Sequence, residues 1–300
     1  MKASESTAIG IEGVTVRYGK QIAVDDVSFS VPRGSVFALL GRNGAGKSSL
    51  IRCILGQQKP QRGRISLLGE DVWQTRATLM DRIGIVTEEG DAPPEMRVGE
   101  LSRFCAALYS RWEQRTFDDR LQHFGIARSS RFGQLSKGQR KQVSLALGLA
   151  SSPDLLLLDD PTLGLDVVAR KSLFEEVVTE LADRGITILL TTHDLGGVEA
   201  IADRVAILRH GKLVLDEELE TLKARFRRIR FAKPVALEAG VLNVAAARAW
   251  GSGTEAVVTN YDELAFERFR GTTGSDSVDI SSLSLEDIFI AVAGEEGDAS

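Results

Sequence analysis

Gly41-Arg42-Asn43-Gly44-Ala45-Gly46-Lys47-Ser48 follows the apolar run Ser35-Val36-Phe37-Ala38-Leu39-Leu40 and precedes the helix-like Ser49-Leu50-Ile51-Arg52-Cys53-Ile54-Leu55. A Gly-x-x-x-x-Gly-Lys-Ser stretch between a strand and a helix reads as a phosphate loop. Glycines let the backbone fold around a polyanion with its N–H groups inward, and the helix start adds the positive end of a dipole. In such a loop Asn43, Gly44, Ala45, Gly46 and Ser49 line the phosphates, Lys47 lies along the β- and γ-phosphates and the Ser48 hydroxyl ligates Mg²⁺. A glycine-rich turn with a chance lysine is the alternative, and the strand-turn-helix setting argues against it.

The flanking sequence predicts an α/β protein. Ile9 to Tyr18 and Gln21 to Val31 alternate apolar and polar residues on either side of Gly19-Lys20, as an antiparallel pair does. Gly63 to Val72 reads as a further short strand and Arg82 to Thr87 as a buried one. From Val98 to Leu149 the period becomes helical, with Leu101, Phe104, Cys105 and Leu108 on one face and breaks near Arg111 and Gly125, which predicts a helical insertion. Leu155 to Leu158 and Thr187 to Leu190 are apolar runs flanking a helix from Val167 to Asp183 that stops at Gly185. Strand, helix and strand of that composition imply a parallel sheet covered on both faces.

After Glu220 the texture changes, so residues 1–220 are expected to form one domain, with the helical subdomain at about 90–150, and residues 221–300 a small α+β accessory domain. Lys223, Arg225, Arg227, Arg228 and Arg230 read as a solvated face rather than a contact for anionic lipid. Ser284 caps a predicted last helix, and Gly294 to Ser300 reads as a frayed tail.

Composition sets the outer bounds. The chain has 300 residues, 43% of them hydrophobic, enough for a substantial core. A net charge of −5 argues against a general nucleic-acid binder. Cys53 and Cys105 have no metal-ligand spacing and suggest no disulfide framework, as expected of a reducing cytoplasm. No stretch approaches the eighteen or so apolar residues of a membrane span, so any membrane role requires a second polypeptide.

Asp159-Asp160-Pro161 ends the apolar run and so sits at the carboxyl end of a strand, where open parallel sheets bind their ligands. With a phosphate loop upstream, Asp159 reads as the second Mg²⁺ anchor and Asp160 as the carboxylate that orients the attacking water, rather than as a plain strand terminus. Leu135-Ser136-Lys137-Gly138-Gln139 opens another helix with Ser136 as N-cap, which makes a second anion site at a helix start.

That stretch resembles the Leu-Ser-Gly-Gly-Gln signature of ATP-binding cassette subunits, with Lys137 in place of a glycine. The resemblance covers Ile9 to about Leu215 and implies a phosphate-loop ATPase fold with an antiparallel β subdomain and a helical subdomain. It further implies that Tyr18 stacks on adenine, that Asp166 of Leu163-Gly164-Leu165-Asp166 contacts an opposing subunit, and that His193 bonds the γ-phosphate. Gly41 to Ser48, Asp159, Asp160 and His193 of one subunit, with Ser136, Gly138 and Gln139 of a second, would then enclose ATP in a head-to-tail homodimer or heterodimer. The partner implied is a separate transmembrane permease at the cytoplasmic face of the membrane, with the closing Leu285 to Phe289 resembling bacterial multidrug, antibiotic-resistance and polysaccharide exporters.

Besides Lys137, two positions depart from the family pattern where the chemistry depends on them: Asp160 replaces the usual glutamate, and Glu88 stands where a glutamine usually touches Mg²⁺, with Glu89 as the weaker choice. The shorter Asp160 is expected to give slow hydrolysis, since a base must come within about 2.6–3.2 Å of its water. A regulatory cassette with slow or degenerate turnover and a soluble, non-transport cassette ATPase are the competing readings.

Overall fold

A computed structural model of the chain describes residues 6–87, 92–192, 194–235, 242–273 and 277–294. The chain divides into two compact units, Met1–Leu213 and Val214–Ser300.

The first unit opens with β1 (Thr7–Tyr18) and β2 (Gln21–Pro32), a hairpin that closes at Tyr18 opposite Gln21, with Gly19 supplying the left-handed turn residue at φ 60°. The phosphate-loop strand β3 (Val36–Leu40) runs into α1 (Lys47–Ile54). The stretch expected as one strand over Gly63 to Val72 is two, β4 (Arg62–Leu67) and β5 (Glu70–Asp71), because Leu68 and Gly69 both take positive φ and fold the chain back on itself. Then come α2 (Arg76–Met80), β6 (Ile83–Val86), three helices α3 (Val98–Leu108), α4 (Gln114–His123) and α5 (Lys137–Ala150), and β7 (Leu155–Asp159). The unit continues through α6 (Val167–Arg184), β8 (Thr187–Thr191), α7 (Leu195–Glu199) and β9 (Arg204–Arg209) into β10 (Lys212–Glu218), within which the unit boundary falls.

β2-β1-β4-β5 form an antiparallel sheet, and β9-β3-β8-β7-β6 are neighbours in a parallel one. Every residue of β3 and β8, and Leu155 to Leu158 of β7, is buried. Sequestration on both faces is why these strands are continuous apolar runs, whereas β2, with one wet face, alternates. The inner face of β1 and β2 shares one core with β3 and α1, in which Phe29 stacks on Phe37 at 5.2 Å.

The helical block has its own core of Val98, Leu101, Phe117, Leu121, Phe132, Leu135, Val143 and Ala146. Only part of the predicted α3 face enters it: Leu101 is buried, but Phe104 and Leu108 are 58% and 63% exposed. Leu135 anchors the turn before α5 to this core.

The second unit holds α8 (Leu219–Arg225), β11 (Arg227–Phe231), β12 (Val244–Trp250), β13 (Gly253–Val258), α9 (Glu263–Thr273), β14 (Val278–Ser282) and α10 (Leu285–Ala293). Its antiparallel sheet, ordered β12-β13-β11-β14, covers a core of Ile229, Phe231, Leu242, Val258, Phe266 and Phe269. Ser284 caps α10 by accepting from the Asp287 N–H, as expected. The basic stretch is not the solvated face the charge pattern suggested. Arg225 chelates Glu217, while Arg230 and Arg248 flank the buried Glu255, 2.7 Å away on each side, and Arg228 reaches Asp287 at 2.9 Å. Strand register places Arg248, Glu255, Arg230 and Asp279 in one cross-strand row, so charges adjacent in sequence are paired by the sheet. No helix among the described residues is long and apolar enough to cross a membrane.

Candidate nucleotide site

Leu39 of β3 lies level with Thr191 of β8, and Thr191 with Asp159 of β7. The phosphate loop and the aspartate pair therefore leave the same edge of the parallel sheet two strands apart, roughly 9–10 Å at the usual strand spacing. The crevice at the carboxyl ends of those strands is where the chain order switches between sheet neighbours, the standard place for a ligand in this architecture.

The loop is held from below by contacts only glycine permits. A Cβ at Gly41 would lie 2.8 Å from the Leu208 carbonyl oxygen of β9. Gly46, the N-cap of α1 at φ 108°, passes so close to β2 that a Cβ would meet the Ala23 carbonyl oxygen at 2.3 Å. Gly44 also has positive φ but faces open space, and Arg42, Asn43 and Gly44 are exposed. Ala45 is anchored by its N–H to the Arg42 carbonyl and by the Gly211 N–H on its own carbonyl. Lys47 folds back over the loop and donates to the Gly41 carbonyl at 2.6 Å, so its ammonium sits within the turn's own curvature. Ser48 is exposed at the start of α1, and Ser49 lies 3.3 Å from the Tyr18 hydroxyl. Tyr18 donates to Gln58 at 2.6 Å and is 43% exposed, a tethered aromatic residue at the rim. Its hydrogen bond with Ser49 holds the phenol below its ordinary pKa. Beneath the loop, burial pushes the Cys53 thiol up to about 11, so it is a protonated core residue.

Across the edge, Asp159 accepts from the Thr191 hydroxyl at 2.5 Å. Asp160 has φ 46°, left-handed for a non-glycine residue, and its N–H donates to the Thr191 carbonyl at 3.0 Å. Its own carbonyl accepts from the Lys141 ammonium of α5 at 3.1 Å. Lys141 was not singled out by the sequence; a lone cation on the apolar side of α5 is the signal that marks it. Thr192, next to His193, bonds Thr162 at 3.1 Å. Glu88, Glu89 and His193 lie outside the described residues.

Ser136 caps α5 in a reciprocal box: its hydroxyl accepts from the Gln139 N–H at 3.2 Å, and the Gln139 side chain accepts from the Ser136 N–H at 3.0 Å. Gln139 is thereby committed to its own helix end. A Cβ at Gly138 would meet nothing closer than Leu165 at 3.5 Å, so the turn itself tolerates a side chain there. Lys137 lies over Gly164, 2.7 Å from where a Cβ would stand, and so fills the space that a side chain in that loop would take. Asp166 accepts from the Ala169 N–H at 2.8 Å at the entry to α6. The donor set near the loop, a carboxylate and a hydroxyl with no sulfur or imidazole needed, suits Mg²⁺, a hard cation that takes few protein oxygens and completes its shell with water and phosphate.

Residues 24–163 match the ABC transporter family. The chain is 32% identical over 225 residues to the bacitracin transport ATP-binding protein BcrA of Bacillus licheniformis, covering 74% of each chain. It is 37% identical over 221 residues to the Nod factor export ATP-binding protein I of Bradyrhizobium diazoefficiens, covering 72% of each. Among solved structures, an ATP-binding subunit of an ABC transporter superposes with a TM-score of 0.67 at 30% identity, over 73% of this chain and 92% of that one. CbiO1 from Clostridium perfringens, part of the ABC transporter complex cbiONQ, gives 0.64 at 28% identity over the same share of each. Loop, aspartate pair, capped second helix and these likenesses agree, and the chain belongs to the ABC transporter family as an ATP-binding, ATP-hydrolysing subunit.

Proposed function

We propose that this ATPase drives a membrane exporter by closing on ATP as a head-to-tail dimer and opening on hydrolysis. The observation that carries the reading is the level row Leu39–Thr191–Asp159, which sets the phosphate loop and the aspartate pair on one sheet edge. Gly41 to Ser49 would cradle the phosphates, with Lys47 exchanging its loop carbonyls for phosphate oxygens and Tyr18 offering a ring face to adenine. Ser48 and Asp159 would hold Mg²⁺, joined by Glu88. The metal supplies charge neutralisation on the transferring phosphoryl group. Asp160 would orient the attacking water and His193 bond the γ-phosphate. Ser136, Gly138 and Gln139 of a second cassette, beside its Asp166, would close the other side. ATP bridging two cassettes stabilises the closed state only while its γ-phosphate contacts last, so hydrolysis shifts the population towards the open one.

A separate permease would receive this motion. Exposed Phe104 and Leu108, one helical turn apart on α3, support a protein contact there, and the kinship with bacitracin and Nod factor export proteins supports export. The decisive assay is Mg-dependent ATP hydrolysis. Lys47→Ala should abolish it, and Asp160→Glu, which restores the missing methylene, should raise it; an unchanged rate in Lys47→Ala removes the nucleotide site from this loop.

A further inference from the structure

We propose that Lys141 is a positioning residue for hydrolysis, clamping the backbone of Asp160 to the end of β6 and to the helix that carries the Ser136 turn. Lys141 sits one turn into α5 and is only 1% exposed. Its ammonium donates to two backbone carbonyls, that of Thr87 at 2.9 Å and that of Asp160 at 3.1 Å. Burying an ammonium is costly unless it is hydrogen-bonded, so a lysine in this position is a specific device rather than filler. An apolar side chain of the same length would complete the core without the penalty.

What the ammonium holds is a backbone in an unfavourable state. Asp160 takes φ 46°, and conformations of this kind persist where the surroundings over-determine them. The Asp160 N–H is fixed to the Thr191 carbonyl at 3.0 Å, and Thr191 in turn bonds Asp159. The Lys141 bond fixes the next peptide group, so the Asp160 Cα is pinned from both sides and the direction of its short side chain is set. Aspartate reaches less far than glutamate, which makes direction matter more. Because the same ammonium holds Thr87, it joins three parts of the first unit: the end of β6, the end of β7 and the start of α5. A shift of α5 at its Ser136 end would therefore be felt at Asp160. The inference rests on Asp160 being the water-orienting carboxylate.

The test is steady-state ATP hydrolysis by Lys141→Met, Lys141→Arg, Asp160→Asn and the Met–Asn double variant of the full chain, with binding of a fluorescent ATP analogue as the folding and site control. Lys141→Met should lower kcat by roughly 10- to 100-fold, the scale of an ångström's misplacement of a reacting group. KM and analogue affinity should stay within about twofold, as positioning without a ground-state contact requires. Lys141→Arg, which keeps the charge and its donors, should recover most of kcat. In the Asp160→Asn background the methionine change should cost little more, because its effect passes through that carboxylate. Should Lys141→Met not bind the analogue, Lys141→Gln replaces it with the same expectations. A slow Asp160→Asn beside a wild-type Lys141→Met overturns the clamp and leaves Asp160 in its role, as does a loss in analogue affinity equal to the loss in kcat. A wild-type rate in Asp160→Asn overturns both assignments.

Discussion

Replacing Gly46 by alanine tests whether the loop's shape is what binds nucleotide. The new Cβ would stand 2.3 Å from the Ala23 carbonyl oxygen, a backbone atom of β2 that has no rotamer to move, and the residue would have to hold φ 108°. A left-handed backbone alone costs an alanine about 1–2 kcal/mol, and overpacking a fixed site adds about 1–3 kcal/mol. The loop escapes this cost by leaving its binding shape, so the penalty of about 2–5 kcal/mol appears in nucleotide affinity as a loss of roughly 30- to 4,000-fold at 1.4 kcal/mol per decade. Gly44 is the internal control. It too has positive φ, 81°, but a Cβ there meets nothing within 4 Å, so Gly44→Ala carries only the backbone part, about 1–2 kcal/mol. Equilibrium titration with a fluorescent ATP analogue, on variants shown by circular dichroism to melt as the parent does, measures the difference. Equal affinities for the two variants, within about threefold, would refute the argument that the Ala23 contact shapes the site.

Leu157 is fully buried in β7, and Leu157→Ala should destabilise the chain by about 2–5 kcal/mol, read as a lower urea midpoint, through the cavity it leaves behind the aspartate pair. Glu113 accepts from Ser152, Thr116 and Arg184, and these bonds hold its carboxyl at about 2 against an ordinary 4.5. Its folded pKa is depressed, so its contribution is present above the ordinary value and is lost as pH falls towards 2; the urea midpoints of the parent and Glu113→Gln should converge over that window, and a constant gap would contradict it. Phe104→Ser with Leu108→Ser, both exposed, should leave ATP hydrolysis by the isolated chain unchanged and weaken co-purification with the membrane subunit proposed as its partner.

The parallel sheet was legible because strands buried on both faces announce themselves as apolar runs: Leu155 to Leu158 and Thr187 to Leu190 became β7 and β8 within a residue of their expected ends. The Ser136 cap was legible for a different reason, since a capping box needs only local sequence. Tertiary choices were not. Periodicity placed Phe104 and Leu108 on the face of Leu101, but which part of a helix face meets a neighbour depends on where that neighbour ends. Charge pattern could not say that Arg225, Arg228 and Arg230 are occupied by Glu217, Asp287 and Glu255, because Glu217 comes from β10 across the turn into α8, Asp287 from α10 and Glu255 through sheet register. Nor could it find Lys141, whose acceptors are carbonyls of Thr87 and Asp160 on two other elements. Lys137, a departure from the family signature, proved to lie over Gly164 of the following loop.

The ATP site proposed for this subunit is composite, built from two chains. Mg-dependent ATP hydrolysis by the purified chain, measured across a wide range of protein concentrations beside Lys47→Ala, separates it from a site complete within one chain. A two-chain site should give a Lys47-dependent rate that rises faster than linearly with concentration until dimers saturate, and a silent Lys47→Ala. A Lys47-dependent rate strictly proportional to concentration throughout, from a chain that stays monomeric with ATP, would contradict it.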